Sequence, residues 1–341
     1  MNSEVIKFVA GGGKTTYSIE YLRKNANGIY LAFTNSVVND IRNKGYLAKT
    51  VDSFFSSFII PKFISSIPLI ASGAKIKFID LEKIPIGLKG ISNLHIGENG
   101  KIYNRGKSTV VDINMTNEKL HNMRNFPNEK FIKYVFSKKE LRLTDEFRAE
   151  LSLYLIKEFP DQIIDLIKSR FTYILIDEAQ DLNRHREELA KLIHKSDIKL
   201  LLLGDDNQNI NNGGDWFESL KPTEIRNESY RCPENNCKWI RDNLGIEIYG
   251  NSDISVINQL DYCDVLKYDD GIRTLLYSQK SGKNIDIINN WKGNKLTIRS
   301  AKGSTIECDI VIIGDKLNYK NLYTAITRSK KNVYTTVKKT R

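Results

Sequence analysis

Cysteine is scarce. Cys232, Cys237, Cys263 and Cys308 are the four in 341 residues, too few and too scattered to staple a chain of this length, so a reducing compartment is expected. Cys232 and Cys237 stand five positions apart with no second pair, wider than a zinc knuckle prefers, which argues against a metal site there. Residues 1–8 have neither a basic start nor a long apolar core, so no secretory leader is expected and the location read from the sequence is cytoplasmic, including a nucleoid or a viral replication site. A long uninterrupted apolar run is also missing. The best candidate, residues 54–74, is apolar and serine-rich but broken by Pro61, Lys62 and Pro68; it reads as buried helical turns rather than a membrane span. Internal repeats and low-complexity tracts are absent as well. What is abundant is positive charge: Lys and Arg total 52 against 41 for Asp and Glu, a formal net charge of +11. That balance favours a polyanionic partner.

The length allows two or three domains. Short apolar runs at 5–9, 29–33, 173–176, 199–203, 309–313 and 333–337 alternate with amphipathic stretches, the pattern of parallel strands covered by helices. Between 61 and 150 the pattern loosens, with glycine-containing turns between Gly87 and Gly106 and a basic stretch at 130–142 that reads as helix. The expected organisation is therefore α/β. A first parallel-sheet domain comprises 1–60 and 151–221, an inserted subdomain spans 61–150, and a second parallel-sheet domain spans 222–341 without a large insertion of its own.

Two segments carry chemistry. The run 171–176 ends in Asp177-Glu178-Ala179-Gln180, where one carboxylate can hold a magnesium ion, the next can take a proton from an attacking water, and the amide can report a γ-phosphate. The same residues would also suit a helix N-terminus, with acids placed for its dipole. The run 5–9 leads into Ala10-Gly11-Gly12-Gly13-Lys14-Thr15-Thr16 and then a helical stretch. Glycines allow backbone N–H groups close to phosphates, Lys14 can reach their oxygens, and the Thr15 hydroxyl can complete magnesium coordination. Phe8 stands where the usual phosphate-loop pattern has its first glycine.

Eight segments in one order resemble the UvrD/Rep-like branch of superfamily 1 helicases. After the phosphate loop comes Leu31-Ala32-Phe33-Thr34-Asn35-Ser36, similar to a strand-end motif that touches single-stranded nucleic acid. Thr50-Val51-Asp52-Ser53-Phe54-Phe55 looks like the family's Thr-x-His-Ser-Phe segment, with Asp52 in the histidine's place; a carboxylate there argues against a phosphate contact. YILIDEAQDL (173–182) is close to the magnesium-binding motif, and LLLGDDNQ (201–208) resembles the coupling motif, with Gln208 as γ-phosphate sensor. Trp216 is the nearest aromatic, open between stacking on a base and packing in a core. ESYRCP (228–233) is similar to the Tyr-Arg motif, TIRSAKGSTIE (297–307) to the motif linking nucleotide and strand, and LYTAITRSK (322–330) to the motif bearing the second arginine.

The resemblance implies two RecA-like domains that bind ATP and Mg2+. It implies phosphate contacts from Ala10 to Thr16, metal contacts from Thr15 and Asp177, and Glu178 as base. It further implies that Arg231 and Arg328 neutralise the γ-phosphate, that Gln180, Gly303 and Glu307 serve the nucleotide, and that Phe33, Thr34, Asn35, Thr50, Trp216, Thr297 and Ser300 face the strand. The activity expected is ATP-driven movement along single-stranded DNA with duplex unwinding, in the company of a replication or repair protein and without a membrane partner. A viral-type RNA helicase, which the Gly-Ser-Thr spacing at 303–305 favours, and a nucleotide-gated interaction module stay open beside it.

Overall fold

The computed structural model describes residues 3–63, 75–78, 94–96, 102–104, 107–111, 136–137, 140–143, 145–211, 213–314 and 317–337. The chain forms two compact units, one from Asn27–Ile174 and Asn183–Lys199 and the other from Ser3–Ala26, Leu175–Leu182 and Leu200–Arg341. The α/β class and the parallel sheets read from the sequence are borne out.

In the second unit, strands Glu224–Arg226, Ser3–Phe8 and Lys199–Gly204 lie side by side and parallel. A five-stranded parallel sheet takes the order Ile257–Gln259, Val333–Thr335, Ile310–Ile313, Thr274–Tyr277, Lys295–Thr297. Its central strand, Ile310–Ile313, is a continuous buried apolar run, IVII, as a strand covered on both faces must be. One core cluster joins Val9 and Ala10 to Cys232, Cys237, Ile240, Ile312, Tyr323 and Ile326. This buries the base of the glycine loop in the same apolar mass as the helix Tyr319–Ile326.

In the first unit, strands Gly28–Ala32 and Ala48–Thr50 pair in parallel. The segment 54–63, read as buried helical turns, is helical and mostly buried: Val51–Phe54 and Ile60–Phe63 are α-helical and Phe55–Ile59 is a π-turn between them. Ser56 and Ser57 donate to the carbonyls of Asp52 and Ser53, both at 2.6 Å, a back-bonding pattern that competes with the regular ladder and accompanies the widened turn. Phe54, Phe58 and Phe171 pack ring against ring at 5.0–6.0 Å. Residues 64–74, and most of the proposed insertion, lie outside the described residues. Where the basic stretch 130–142 is described it is extended, not helical: Phe136–Ser137 and Glu140–Leu143 form an antiparallel pair. The Glu-Leu-Arg-Leu alternation has the period of a strand, and the helix expected there is corrected accordingly.

Asp52 is the polar knot of this unit. Its carboxylate accepts from Arg186 Nε at 2.9 Å and Nη2 at 2.7 Å, from Arg148 Nη2 at 3.0 Å, and lies 3.1 Å from His185 Nε2. Burial pushes the carboxyl up, but the His185 and Arg186 bonds and the two guanidinium charges outweigh it and hold it far below the usual carboxylate range. Burial pushes His185 down, so its neutral imidazole donates through Nε2 to Asp52. Arg186 in turn sits over the Phe33 ring, 5.6 Å from its centroid. The carboxylate read from the sequence as a hindrance to a phosphate contact is therefore consumed by cations instead of standing open.

Two outcomes follow for this unit. Asp52→Ala removes the carboxylate that Arg148 and Arg186 share, leaving Arg148 with Asp145 at 2.8 Å and Arg186 with Asn183 at 3.3 Å, and urea unfolding is expected to show a loss of about 2–3 kcal/mol at pH 7. Because the folded carboxyl is depressed, its contribution is fully present above the unfolded value of about 3.9 and is lost as pH falls below it. Above the range in which histidine titrates, at about pH 7 to 8, the gap between wild type and variant should then be constant, and below about pH 4 it should narrow; a gap that goes on widening there would contradict the assignment. Separately, a Cβ on Gly28 would lie 1.9 Å from Tyr173 Cζ, so Gly28→Ala is expected to cost about 1–3 kcal/mol through displacement of a buried ring, read as a lower melting temperature.

Candidate active site

Leaving the strand Ser3–Phe8, the chain turns through Gly11 at φ 73° and Gly13 at φ 81° into the helix Lys14–Lys24. Both glycines use the left-handed region, and a Cβ on Gly11 would also fall 2.7 Å from Arg231 Cβ and 2.8 Å from Ser229 Oγ. That close approach is fastened by Tyr230 N–H donating to Gly11 O at 3.0 Å and Ser229 Oγ donating to Ala10 O at 2.6 Å. No side chain caps the helix at Gly13, so its first-turn N–H groups remain a positive end suited to an anion.

Glu178 follows the strand Tyr173–Ile176 and Asp177 with φ 54°, a left-handed conformation in a non-glycine residue. Such a residue carries strain of about 1–2 kcal/mol. Local bonds hold it there: its N–H donates to Asp177 Oδ1 at 2.9 Å, its carbonyl accepts from Asp181 N–H at 2.8 Å, and Gln180 Nε2 donates to its Oε2 at 2.5 Å. The other carboxylate oxygen faces Lys14 Nζ at 3.5 Å. Burial raises the Glu178 carboxyl, but Lys14 and Lys302 outweigh it and keep the group ionised, well below its ordinary range. Burial likewise opposes the Lys14 charge, and Glu178, Asp205 and Asp177 overcome it, so the amine is more basic than usual.

Facing them are groups from the end of the strand Lys199–Gly204 and from the C-terminal helix. Gln208 donates through Nε2 to Asp205 Oδ2 at 2.7 Å and accepts through Oε1 from Arg328 Nη2 at 2.9 Å. Burial, then repulsion from Arg231, lowers Arg328 to about 10, which still leaves it charged. Lys302 Nζ reaches both Asp181 oxygens at 2.7 and 2.8 Å and the Gln208 carbonyl at 2.8 Å. Lys302 was quoted within its motif but given no role by the sequence; its three donors tie three segments together.

These residues surround a cavity of about 330 Å³, within the usual range for small-molecule sites. Of the residues expected at the nucleotide, Gly11 to Thr16, Glu178, Gln208, Arg231, Gly303 and Arg328 line it. Ala10 and Gln180 stand behind the lining, buried, and Asp177 is 5% exposed. Glu307 is exposed and ion-paired to Lys330 at 2.8 Å. The lining also includes Tyr230, Thr305 and Lys330, which sequence reasoning missed. Tyr230 is 70% exposed, an open aromatic face beside the glycine loop, and its signal was its place in the quoted Tyr-Arg pair. Thr15 and Asp177 supply hydroxyl and carboxylate oxygens, the donor chemistry that suits magnesium.

The residues expected at a strand are described unit by unit. In the first, Phe33 is half-buried under Arg186, and Thr34 and Asn35 are exposed. Thr34 caps the helix Asn35–Asn43, and Thr50 caps Val51–Phe54 by accepting from Ser53 N–H at 3.0 Å. In the second, Thr297 caps Ile298–Ala301 by accepting from Ser300 N–H at 3.0 Å, Ser300 is exposed, and Trp216 opens a short helix half-buried. All three threonines thus have a capping role that suffices to explain their residue type.

The family model of the UvrD/REP helicase N-terminal domain matches residues 91–212, a stretch that contains Asp177, Glu178, Gln180 and Gln208. No curated protein matches the chain. Similar solved structures include the PRRSV helicase, at 14% identity over 98% of this chain and 52% of that one with a TM-score of 0.47. The crystal structure of Arterivirus nonstructural protein 10 (helicase) is 14% identical over 98% of this chain and 59% of that one, TM-score 0.47. The same protein's complex with DNA is 13% identical over 98% and 60%, TM-score 0.47. The chain spans 52–60% of the length of these three. With its magnesium-type and coupling-type segments inside the matched stretch, the chain's resemblance to the UvrD/REP helicases, first carried by eight ordered segments, is borne out by the family model.

Proposed function

We propose that the chain is a nucleoside triphosphatase that uses ATP to move along single-stranded DNA and to unwind duplex, built from a RecA-like domain at 1–60 and 151–221, an insertion at 61–150 and a second RecA-like domain at 222–341. What carries the reading is the convergence of Lys14, Glu178, Gln208, Arg231 and Arg328 on one cavity beside an uncapped helix start. The family match and the net charge of +11 support a nucleic-acid partner.

In this reading the glycine loop N–H groups and Lys14 bind the phosphates, and Thr15 and Asp177 would hold magnesium, which when bound neutralises charge on the β and γ oxygens. Glu178, ionised and fixed by Gln180, takes the proton of the attacking water. Arg231 and Arg328 face the γ-phosphate and stabilise the charge that develops on it. Gln208 bonds Arg328 directly, so loss of the γ-phosphate reaches the arginine and the coupling segment together. Phe33, Thr34, Asn35, Thr50, Trp216, Thr297 and Ser300 are the candidate strand contacts.

The test is steady-state hydrolysis with and without single-stranded DNA or RNA. Stimulation by DNA is expected; stimulation by RNA alone would favour the RNA motor, and none by either would favour a nucleotide-gated interaction module. Glu178→Gln is expected to keep nucleotide binding within a few-fold and to lower turnover by about 10²-fold or more. Turnover near wild type would remove Glu178 as the base. Unwinding of duplexes with a single 3′ or 5′ tail reads both strand separation and direction.

A further inference from the structure

Behind the cavity lies a buried chain of hydrogen bonds whose directions are fixed by chemistry. Ala10 N–H donates to Tyr323 Oη at 2.9 Å, and Tyr323 Oη donates to Asp205 Oδ2 at 2.9 Å. The same oxygen accepts from Gln208 Nε2 at 2.7 Å, and Gln208 Oε1 accepts from Arg328 Nη2 at 2.9 Å. Asp205 Oδ1 accepts from Asn207 N–H at 3.1 Å, and Asp205 N–H donates to Gln180 Oε1 at 3.0 Å. Tyr323 is fully buried, and Asp205, Gln208 and Arg328 are 1–2% exposed.

The polarity admits one arrangement. A backbone N–H can only donate, so the single Tyr323 proton must go to Asp205. Arg328 has no acceptor, so the Gln208 carboxamide must turn its oxygen there and its NH2 towards Asp205. Three donors, Tyr323 and Gln208 on Oδ2 and the Asn207 N–H on Oδ1, therefore converge on the Asp205 carboxylate and favour its anion. A proton on Oδ2 would face two donors; the Gln208 carboxamide can turn, but a turned carboxamide would present NH2 to the Arg328 guanidinium.

We infer that Asp205 and Tyr323 are positioning residues for hydrolysis: the Tyr323 hydroxyl holds the Asp205 carboxylate, which sets the Gln208 carboxamide and through it Arg328, while the same hydroxyl anchors the glycine loop at Ala10. The inference rests on the reading of the cavity as a triphosphate site. It gives the helix Tyr319–Ile326 two duties, since it carries Tyr323 and leads directly to Arg328. Burial pushes the Asp205 carboxyl up, opposed by Lys14 and by the Gln208, Tyr323 and Asn207 bonds. The charged groups around it are Lys14 from the glycine-loop helix, Arg328 beyond Gln208, and Glu178 beyond Gln180. Removing one donor moves the carboxyl further up.

The experiment is the pH dependence of kcat and KM for ATP in wild type, Tyr323→Phe and Asp205→Asn. Tyr323→Phe should lower kcat about tenfold or less, by a larger factor at acid than at alkaline pH because its acid limb moves upward, with KM changed less than about threefold. Asp205→Asn, which cannot titrate, should be slower throughout and lack that acid limb. A Tyr323→Phe profile that coincides with wild type, or is lowered by one factor at every pH, would overturn the inference. Should Tyr323→Phe fail to fold, an Asp205→Asn profile that keeps the wild-type acid limb would overturn it equally. Failure of the triphosphate reading itself is distinct: wild type would then neither bind nor hydrolyse ATP at any pH.

Discussion

Repulsion among like charges is the constraint on which the rest of the site depends. Lys14, Arg231, Arg328 and Lys330 all face one cavity, and Lys302 lies just behind it, buried against Asp181 and Gln208. Burial first and Arg231 second weaken Arg328 as a base. Such a set of cations stays folded because carboxylates are distributed among them: Glu178 beside Lys14, Asp181 under Lys302, Asp205 behind Gln208. Each carboxylate is also satisfied by hydrogen bonds, as buried charge requires. The surplus that remains on the cavity side is positive, which is what a polyphosphate would complete.

The same balance accounts for the backbone around it. The left-handed Glu178 is a strained residue whose amide, carbonyl and carboxylate are all engaged, so the strain is held by the network rather than by local preference. Gly11 lets the strand Glu228–Pro233 come within van der Waals distance of the loop, and through that contact Arg231 is delivered to the cavity. In the other unit Asp52 repeats the principle on a smaller scale, one carboxylate gathering Arg148, Arg186 and His185 from two helices.

Several features were legible in the sequence because they are local. The glycine loop, the strand before Asp177 and the six apolar runs each announce themselves within about ten residues, through backbone freedom or period; the helix caps at Thr50 and Thr297, two residues expected at a nucleic-acid strand, emerge only from the structure. The basic stretch 130–142 was misread because composition was weighed over the two-residue alternation at Glu140–Leu143. Asp52 looked like a liability at a phosphate because its partners, near residues 148 and 185, lie about a hundred positions away in the chain.

Sequence by itself determined the α/β class, the residue types that could handle a triphosphate and their order along the chain, since these follow from short-range pattern. Tertiary structure decided which of them meet. It put Glu307 at the surface with Lys330, drew Tyr230 to the glycine loop, buried Gln180 behind Glu178, and joined Ala10, Tyr323, Asp205, Gln208 and Arg328 in one directed set of bonds. Those partners are separated by up to 313 positions, and no local preference encodes such a pairing. It arises only when packing removes water and every buried donor must find an acceptor.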